Sequence, residues 1–363
     1  MRLGLQQFAL EWSQLGHNVD YVCCPTHPLD FISPSRRYLW LKAWLRGGSQ
    51  VISVNLTEYF VRSPFSRRRF WWRGKWQTSF YKMFFPKQLS KKTYDLCIFD
   101  ICYSALNLPR VNAERKIMRL NDNPWGFLHH MSPIVAQWFE NLIKSSSVDS
   151  VWPVSTALGD WARNLNPGIP VQTLPNGVSL NSFARALPDS NPTASSQKAV
   201  YLGTFQPWFD WELMVNVANN LPDWQIDLYG PNRSLVLPIN LPPNLKLSGP
   251  LSFDQVPSML SNYEVGLLPF KPSGNFLDYF DPLKAYQYWA AGLGIAATDT
   301  GRMGDALLPW ACLGSDAESF ANAIVSASEQ RHEWHYDKAL QKRLDESNWP
   351  VLANRALSTI GVA

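Results

Sequence analysis

Two doubly wound α/β domains, each a parallel sheet with helices on both faces, are what this sequence predicts. Three observations carry the expectation. Short apolar strands alternate with amphipathic helices along the chain, the pattern of βα units. The alternation runs twice, and the second series starts after a stretch rich in Pro, Ser, Asn and Thr at residues 188–197. With 363 residues the chain can bury two ordinary cores, and 46% apolar against 17% charged residues exclude a disordered protein. Paired domains of this kind hold their ligand between the carboxyl ends of their strands.

The elements follow in order. Leu5, Phe8, Ala9, Trp12 and Leu15 share one face of a helix that Gly16 suits as a stop, and residues 19–23 read as a strand. Strands are expected at 50–56, 95–100 and 116–120, a helix at 133–144 and an apolar run at 151–154. Ser155 is then placed to cap the next helix. In the second series the strands are 199–202, 225–229, 245–247, 265–269 and 294–298, with helices between them. The expected organisation is residues 1–172 as an N-terminal domain, 173–345 as a C-terminal domain, and 346–363 as a helical tail packing back on the first. One strand is absent from the series. A doubly wound domain opens with a strand and a Gly-rich turn, and that strand lies at the centre of its sheet. Its loss would leave two rows of unpaired backbone groups, so a further stretch of about 20 residues upstream of Met1 is expected.

Composition narrows the class. No run approaches the roughly 18 apolar residues of a membrane-spanning helix, and no leader with a cleavage site is recognised. Cys23, Cys24, Cys97, Cys102 and Cys312 have neither metal nor redox spacing and read as buried hydrophobes in a reducing, cytoplasmic setting. No Asp-x-Asp pair or histidine cluster suggests a metal, and no cofactor is expected. The net charge of +4 is uneven: ten of the 33 Lys and Arg lie between Arg62 and Lys92, a segment without Asp or Glu. There they interleave with Phe65, Phe70, Trp71, Trp72, Trp76, Phe80, Tyr81, Phe84 and Phe85. Basic and aromatic residues together suit an anionic membrane surface, so residues 63–92 are a candidate for docking on the inner leaflet. Nucleic acid is the rival partner and is discounted, because the rest of the chain is net acidic and carries no recognition motif. A surface loop whose aromatics complete the core is the plainer alternative.

The most informative stretch runs from Asp281-Pro282-Leu283-Lys284 through Gln287 to Gly292, and enters an apolar strand. It reads as a helix with Pro in its first turn and Gly at its end. Lys284 and Gln287, three apart, share a face near the helix start, where a lysine and the helix dipole together suit a diphosphate. An ordinary surface lysine is the alternative for this helix taken alone.

Five further segments fall in a recognisable order with it: Thr173-Leu174-Pro175-Asn176-Gly177-Val178-Ser179 with Phe183; Leu202-Gly203-Thr204-Phe205 with Trp208-Phe209-Asp210-Trp211-Glu212-Leu213; Leu228-Tyr229-Gly230-Pro231; Leu247-Ser248-Gly249-Pro250-Leu251; and Glu264 to Phe270. Together they resemble the second domain of glycosyltransferase family 4 and its GT-B relatives, over residues 171–298. That resemblance implies a GT-B fold, two Rossmann-like domains facing a central cleft, and transfer of a sugar from a nucleotide donor. Gly203, Phe205, Asp210, Tyr229, Gly230, Leu283, Lys284 and Gln287 would form the nucleotide-sugar site. Retaining members carry a pair of glutamates around the helix, and the matching positions here are Gln287 and Tyr279. The Pro-Leu-Lys version is similar to the inverting glucuronosyltransferase of xanthan assembly, in which Lys284 would meet the diphosphate and Gln287 the nucleotide portion. An inverting enzyme needs a general base. The match to the family's aspartate is Asp122, in Met118-Arg119-Leu120-Asn121-Asp122, with Asp100 as the substitute and a simple turn at 121–124 as the bland alternative. The resemblance further implies a uridine nucleotide donor and a lipid-linked or glycan acceptor in cell-envelope polysaccharide synthesis. A retaining transferase, a nucleotide-sugar epimerase and a non-catalytic binding protein on the same fold stay open.

Overall fold

The computed structural model describes residues 4–24, 41, 48–61, 85–128, 131–183, 197–231, 240–271, 279, 281–300 and 302–361. Most of the basic aromatic segment (62–84) and most of the polar stretch at 188–197 lie outside them. The chain divides into two compact units, Leu3–Pro175 and Asn176–Ala363.

The first unit opens with α1 (Gly4–Gln14), which buries Phe8, Ala9 and Trp12. Strand β1 (Val19–Val22) follows, and then β2 (Ser49–Ser53) and β3 (Leu56–Tyr59). β1 runs parallel to β3, and β2 closes antiparallel on β3, giving the order β1-β3-β2. The single strand expected at 50–56 is thus a hairpin. Val54 at its tip is 97% exposed, so the apolar run continues through a turn and alternates there with no burial.

The unit's second sheet is wholly parallel, in the order β4 (Thr93–Phe99), β5 (Asn112–Leu120), β6 (Ser150–Pro153). Between β5 and β6 lies α2 (Pro133–Lys144). Ser132 caps it by accepting from Val135 N–H, and Val135, Ala136, Phe139, Leu142 and Ile143 form its buried stripe. α3 (Thr156–Leu165) is capped by Ser155. Among the described residues β1 and β4 end their respective sheets, and side chains tie them: Lys92 Nζ and Tyr94 Oη both reach Asp20 Oδ2, at 2.6 and 2.8 Å.

The second unit is built on a six-stranded parallel sheet of order β12-β11-β10-β7-β8-β9. Its strands are β7 (Lys198–Leu202), β8 (Gln225–Tyr229), β9 (Leu245–Ser248), β10 (Val265–Leu268), β11 (Gly294–Thr298) and β12 (Cys312–Gly314). β10 and β11 are buried at every residue, as expected for unbroken apolar strands covered on both faces. The helices are α4 (Leu180–Phe183), α5 (Trp211–Asn220), α6 (Val256–Leu260), α7 (Leu283–Ala290), α8 (Arg302–Leu307), α9 (Ala317–Tyr336), α10 (Lys338–Glu346) and α11 (Trp349–Ser358). Short crossovers through helices between parallel neighbours bring the carboxyl ends of β7, β8 and β10 together at one edge of this sheet.

Candidate active site

The carboxyl ends of β7 and β8 meet through two glycines. Gly203 donates its N–H to Tyr229 O at 2.9 Å, and Gly230 then turns at φ 158° directly against Gly203. A Cβ on Gly230 would fall 1.7 Å from Gly203 O, so no other residue can hold this approach. A Cβ on Gly203 would lie 2.3 Å from Lys284 Cε, which shows how closely the lysine lies over the strand end.

Lys284 stands in the first turn of α7. Its stem is half-buried, and its ammonium lies 5.4 Å from the Tyr201 ring centre and 5.6 Å from that of Phe270, within cation–π range. It takes part in no ion pair among the described residues. Burial without a carboxylate pulls its pKa down from 10.5 to about 8. Gln287, one turn further on, is 4% exposed, and its amide finds no hydrogen-bond partner among the described residues. The helix start adds its own unsatisfied N–H groups and positive dipole end, and α7 is thus built to receive an anion beside Gly203.

The strand ends are held in turn by tyrosines. Tyr288, on α7, accepts from Leu202 N–H at 3.0 Å and donates to Leu267 O at 3.5 Å, joining β7, β10 and the helix. Tyr263 donates to the buried Asp227 at 2.6 Å, and its oxygen lies 3.3 Å from Tyr229 Oη, placed to accept from it, which orients Tyr229 at the end of β8.

Two of the expected binding residues are engaged within the fold instead. Phe205 is fully buried, packed against Tyr201, Phe209 and Trp211 at ring-centre distances of 5.6, 5.2 and 5.0 Å, and its side chain has no face left for a ligand. Asp210 caps α5 by accepting from Leu213 N–H at 3.0 Å, the usual use of an aspartate at that position. Gly203, Tyr229, Gly230, Leu283, Lys284 and Gln287 gather at the strand ends and the start of α7, where the sequence places them.

In the first unit, β4 and β5 end at two aspartates, Asp100 and Asp122. Burial first, and then the charge of Asp100, push the Asp122 pKa up from 3.8 to about 7. Burial also raises Asp100, while a hydrogen bond from Cys102 and the charge of Arg119 oppose the rise. The turn after Asp122 does form, but Asn123 makes it, accepting from Trp125 N–H at 2.9 Å. Asp122 is spared that task. Arg119, missed at the sequence level, is 0% exposed. Its guanidinium donates to Asn121 Oδ1, Leu174 O and Pro175 O at 3.1, 3.1 and 3.2 Å and lies 5.1 Å from the Phe8 ring centre. It ties the loop bearing Asp122 to the last residues of the unit. Its signals in the sequence were a charge inside an apolar strand and its place in the stretch that leads to Asp122.

His332 and His335 each carry an enclosed ring nitrogen without a hydrogen bond. Among the described residues no cluster of three metal-ligating side chains occurs, and no helix is long and apolar enough to cross a membrane.

No protein-family model matches the chain. A Bacillus subtilis (strain 168) protein named as a teichuronic acid biosynthesis glycosyltransferase, TuaH, is 28% identical over 138 residues, which is 36% of this chain and 34% of that relative. The matched part is thus about a third of the relative's length. Among solved structures, sucrose-phosphate synthase from Thermosynechococcus elongatus is similar over 98% of this chain and 91% of its own, with a TM-score of 0.72 and 17% identity. HepE from Anabaena, solved with UDP and glucose, covers 84% of this chain and 86% of its own, with a TM-score of 0.61 and 12% identity. A glycosyltransferase from Rickettsia africae covers 99% and 95%, with a TM-score of 0.58 and 10% identity. The chain has the GT-B fold.

Proposed function

We propose that this protein is a glycosyltransferase that takes a sugar from a UDP-sugar and delivers it to a hydroxyl of a cell-envelope glycan or its lipid-linked precursor. One observation carries the proposal: on the first turns of α7 neither Lys284 nor Gln287 is tied by a side-chain hydrogen bond or ion pair among the described residues, and Lys284 lies beside the close approach of Gly203 and Gly230. In this reading the ammonium and the helix start take the diphosphate, and Gln287 hydrogen-bonds the nucleotide portion without adding charge. HepE was solved with UDP, and the Bacillus subtilis relative carries a polymer-assembly name, which supports the donor and the general class of acceptor.

Transfer is proposed to invert the anomeric carbon. Asp122 takes the proton of the acceptor hydroxyl as its oxygen attacks the sugar carbon. The bond from that carbon to the diphosphate oxygen breaks, and UDP leaves with its charge met by Lys284. An aspartate raised to about 7 suits a base working near neutral pH. The positions of the retaining glutamates hold Gln287 and Tyr279, which favours inversion over retention.

Titration calorimetry with UDP, GDP, ADP and CMP tests the donor assignment, with UDP expected to bind well ahead of the others. Binding of none of them would leave a non-catalytic protein on this fold. The segment at 63–92 is proposed to dock the protein on anionic membrane. Flotation with phosphatidylglycerol vesicles is expected to carry the wild type and to lose a variant with Arg67, Arg68, Arg69 and Arg73 changed to Gln; equal flotation of both rejects docking.

A further inference from the structure

We infer that Asp281 is a positioning residue of the donor site, fastening the Asn176-Gly177-Val178 segment to the start of α7 and so setting where Lys284 and Gln287 project. The inference rests on the donor-binding proposal and gives a task to a motif which that proposal leaves unused.

Asp281 is buried and commits both carboxylate oxygens. Oδ2 accepts the backbone N–H of Asn176 at 2.6 Å, and Oδ1 accepts the hydroxyl of Tyr286 at 3.0 Å. The Asn176 side-chain amide answers by donating to Asp281 O at 2.9 Å. Two bonds to the carboxylate and one to its own carbonyl leave the residue no freedom to turn. A bond from N–H to an ionised carboxylate is of the stronger kind. Asp281 stands two residues before Leu283, the first residue of α7, so these bonds fix the direction in which the helix leaves.

Both anchors are themselves fixed. On one side, Val178 N–H donates to Ser347 O at 2.9 Å and Trp349 N–H donates to Val178 O at 3.2 Å, holding the segment against the turn before α11. On the other, the Arg343 guanidinium lies 5.6 Å from the Tyr286 ring centre, 5.0 Å from that of Trp289 and 5.7 Å from that of Trp310, and donates to Ala306 O at 2.7 Å. Hydrogen bonds therefore run from Asn176 through Asp281 to Tyr286, and a cation–π contact continues to Arg343, all within the second unit. Lys284 and Gln287 have no such ties. Apart from the packing of the Lys284 stem against Gly203, Tyr201 and Phe270, the placement of their helix aims them, and a misplacement of about 1 Å is enough to forfeit an aligned polar contact.

The test is a double-mutant cycle on UDP affinity with wild type, Lys284→Ala, Asp281→Asn and the double variant. Asparagine keeps the shape of the side chain and removes the charge. Asp281→Asn is expected to weaken UDP binding about tenfold, and Lys284→Ala to cost several-fold less in that background than in the wild type. A purely structural Asp281 would lower the melting temperature and leave the Lys284 penalty unchanged; that result overturns the inference. Tyr286→Phe, which keeps the Asn176 tie, carries the same cycle if Asp281→Asn does not fold, with a smaller coupling expected and none overturning it. Failure of the wild type to bind UDP would instead remove the donor proposal, and this inference with it.

Discussion

Replacing Asp122 with asparagine is expected to slow sugar transfer by about two to four orders of magnitude while leaving UDP affinity unchanged, because it removes only the proton acceptor. The wild-type rate should climb with pH through about 7, where Asp122 ionises, and the limb should vanish in the variant. Asp100→Asn, which removes the neighbouring negative charge, should move the limb to lower pH. A limb that stays in place would show that the two carboxyls do not communicate. The same shift has a consequence for stability. The folded pKa lies above the ordinary 3.8, so between those values the folded protein holds more protons than the unfolded chain. Stability from this group is complete below 3.8 and is lost as pH rises through about 7. Asp122→Asn should therefore melt higher than the wild type at pH 8, with the difference gone near pH 3.5. An inactive but more stable variant would mark Asp122 as kept for function at the expense of the fold.

Lys284→Met is expected to reduce UDP affinity by about 10- to 100-fold, the usual worth of a charged hydrogen-bond partner. It should also raise the melting temperature of the free protein at pH 7. The folded pKa is depressed from 10.5 to about 8, so the folded state binds fewer protons over that interval and stability from this group grows as pH rises through it. At pH 7 the ammonium is charged and half-buried without a carboxylate, and an apolar side chain of similar length relieves that cost. Bound diphosphate would hold the proton on Lys284. Wild-type UDP binding at pH 8 should thus take up a proton, read by calorimetry in buffers of different ionisation enthalpy, and affinity should fall above that pH. A variant that binds UDP as well as wild type, with the same proton uptake, would move the diphosphate away from α7.

Much of the fold was legible because its elements are strongly patterned. The helix at Pro133–Lys144 and the strands at Gln225–Tyr229 and Gly294–Thr298 fall where amphipathic spacing or an unbroken apolar run puts them. The misreading at 50–56 has the opposite cause. An apolar run says nothing about where it bends, and the turn after Ser53 sends Val54 into solvent. At the strand ends, Lys284 and Gln287 were visible as a pair on one helical face, whereas the fate of Phe205 was not. Whether an aromatic beside a glycine lines a site or fills a core depends on Tyr201, Phe209 and Trp211 closing around it.

By itself the sequence determined the alternation of strands and helices, the cap at Ser155 and the helix that places a lysine and a glutamine on one side, because these depend on neighbours within a few residues. Only the tertiary structure decided that Lys284 has no carboxylate partner among the described residues, that Asp100 stands close enough to raise Asp122, and that Asp281 reaches back to Asn176. Those properties belong to groups brought together from distant parts of the chain, and charge, burial and hydrogen bonding are settled only when such groups meet.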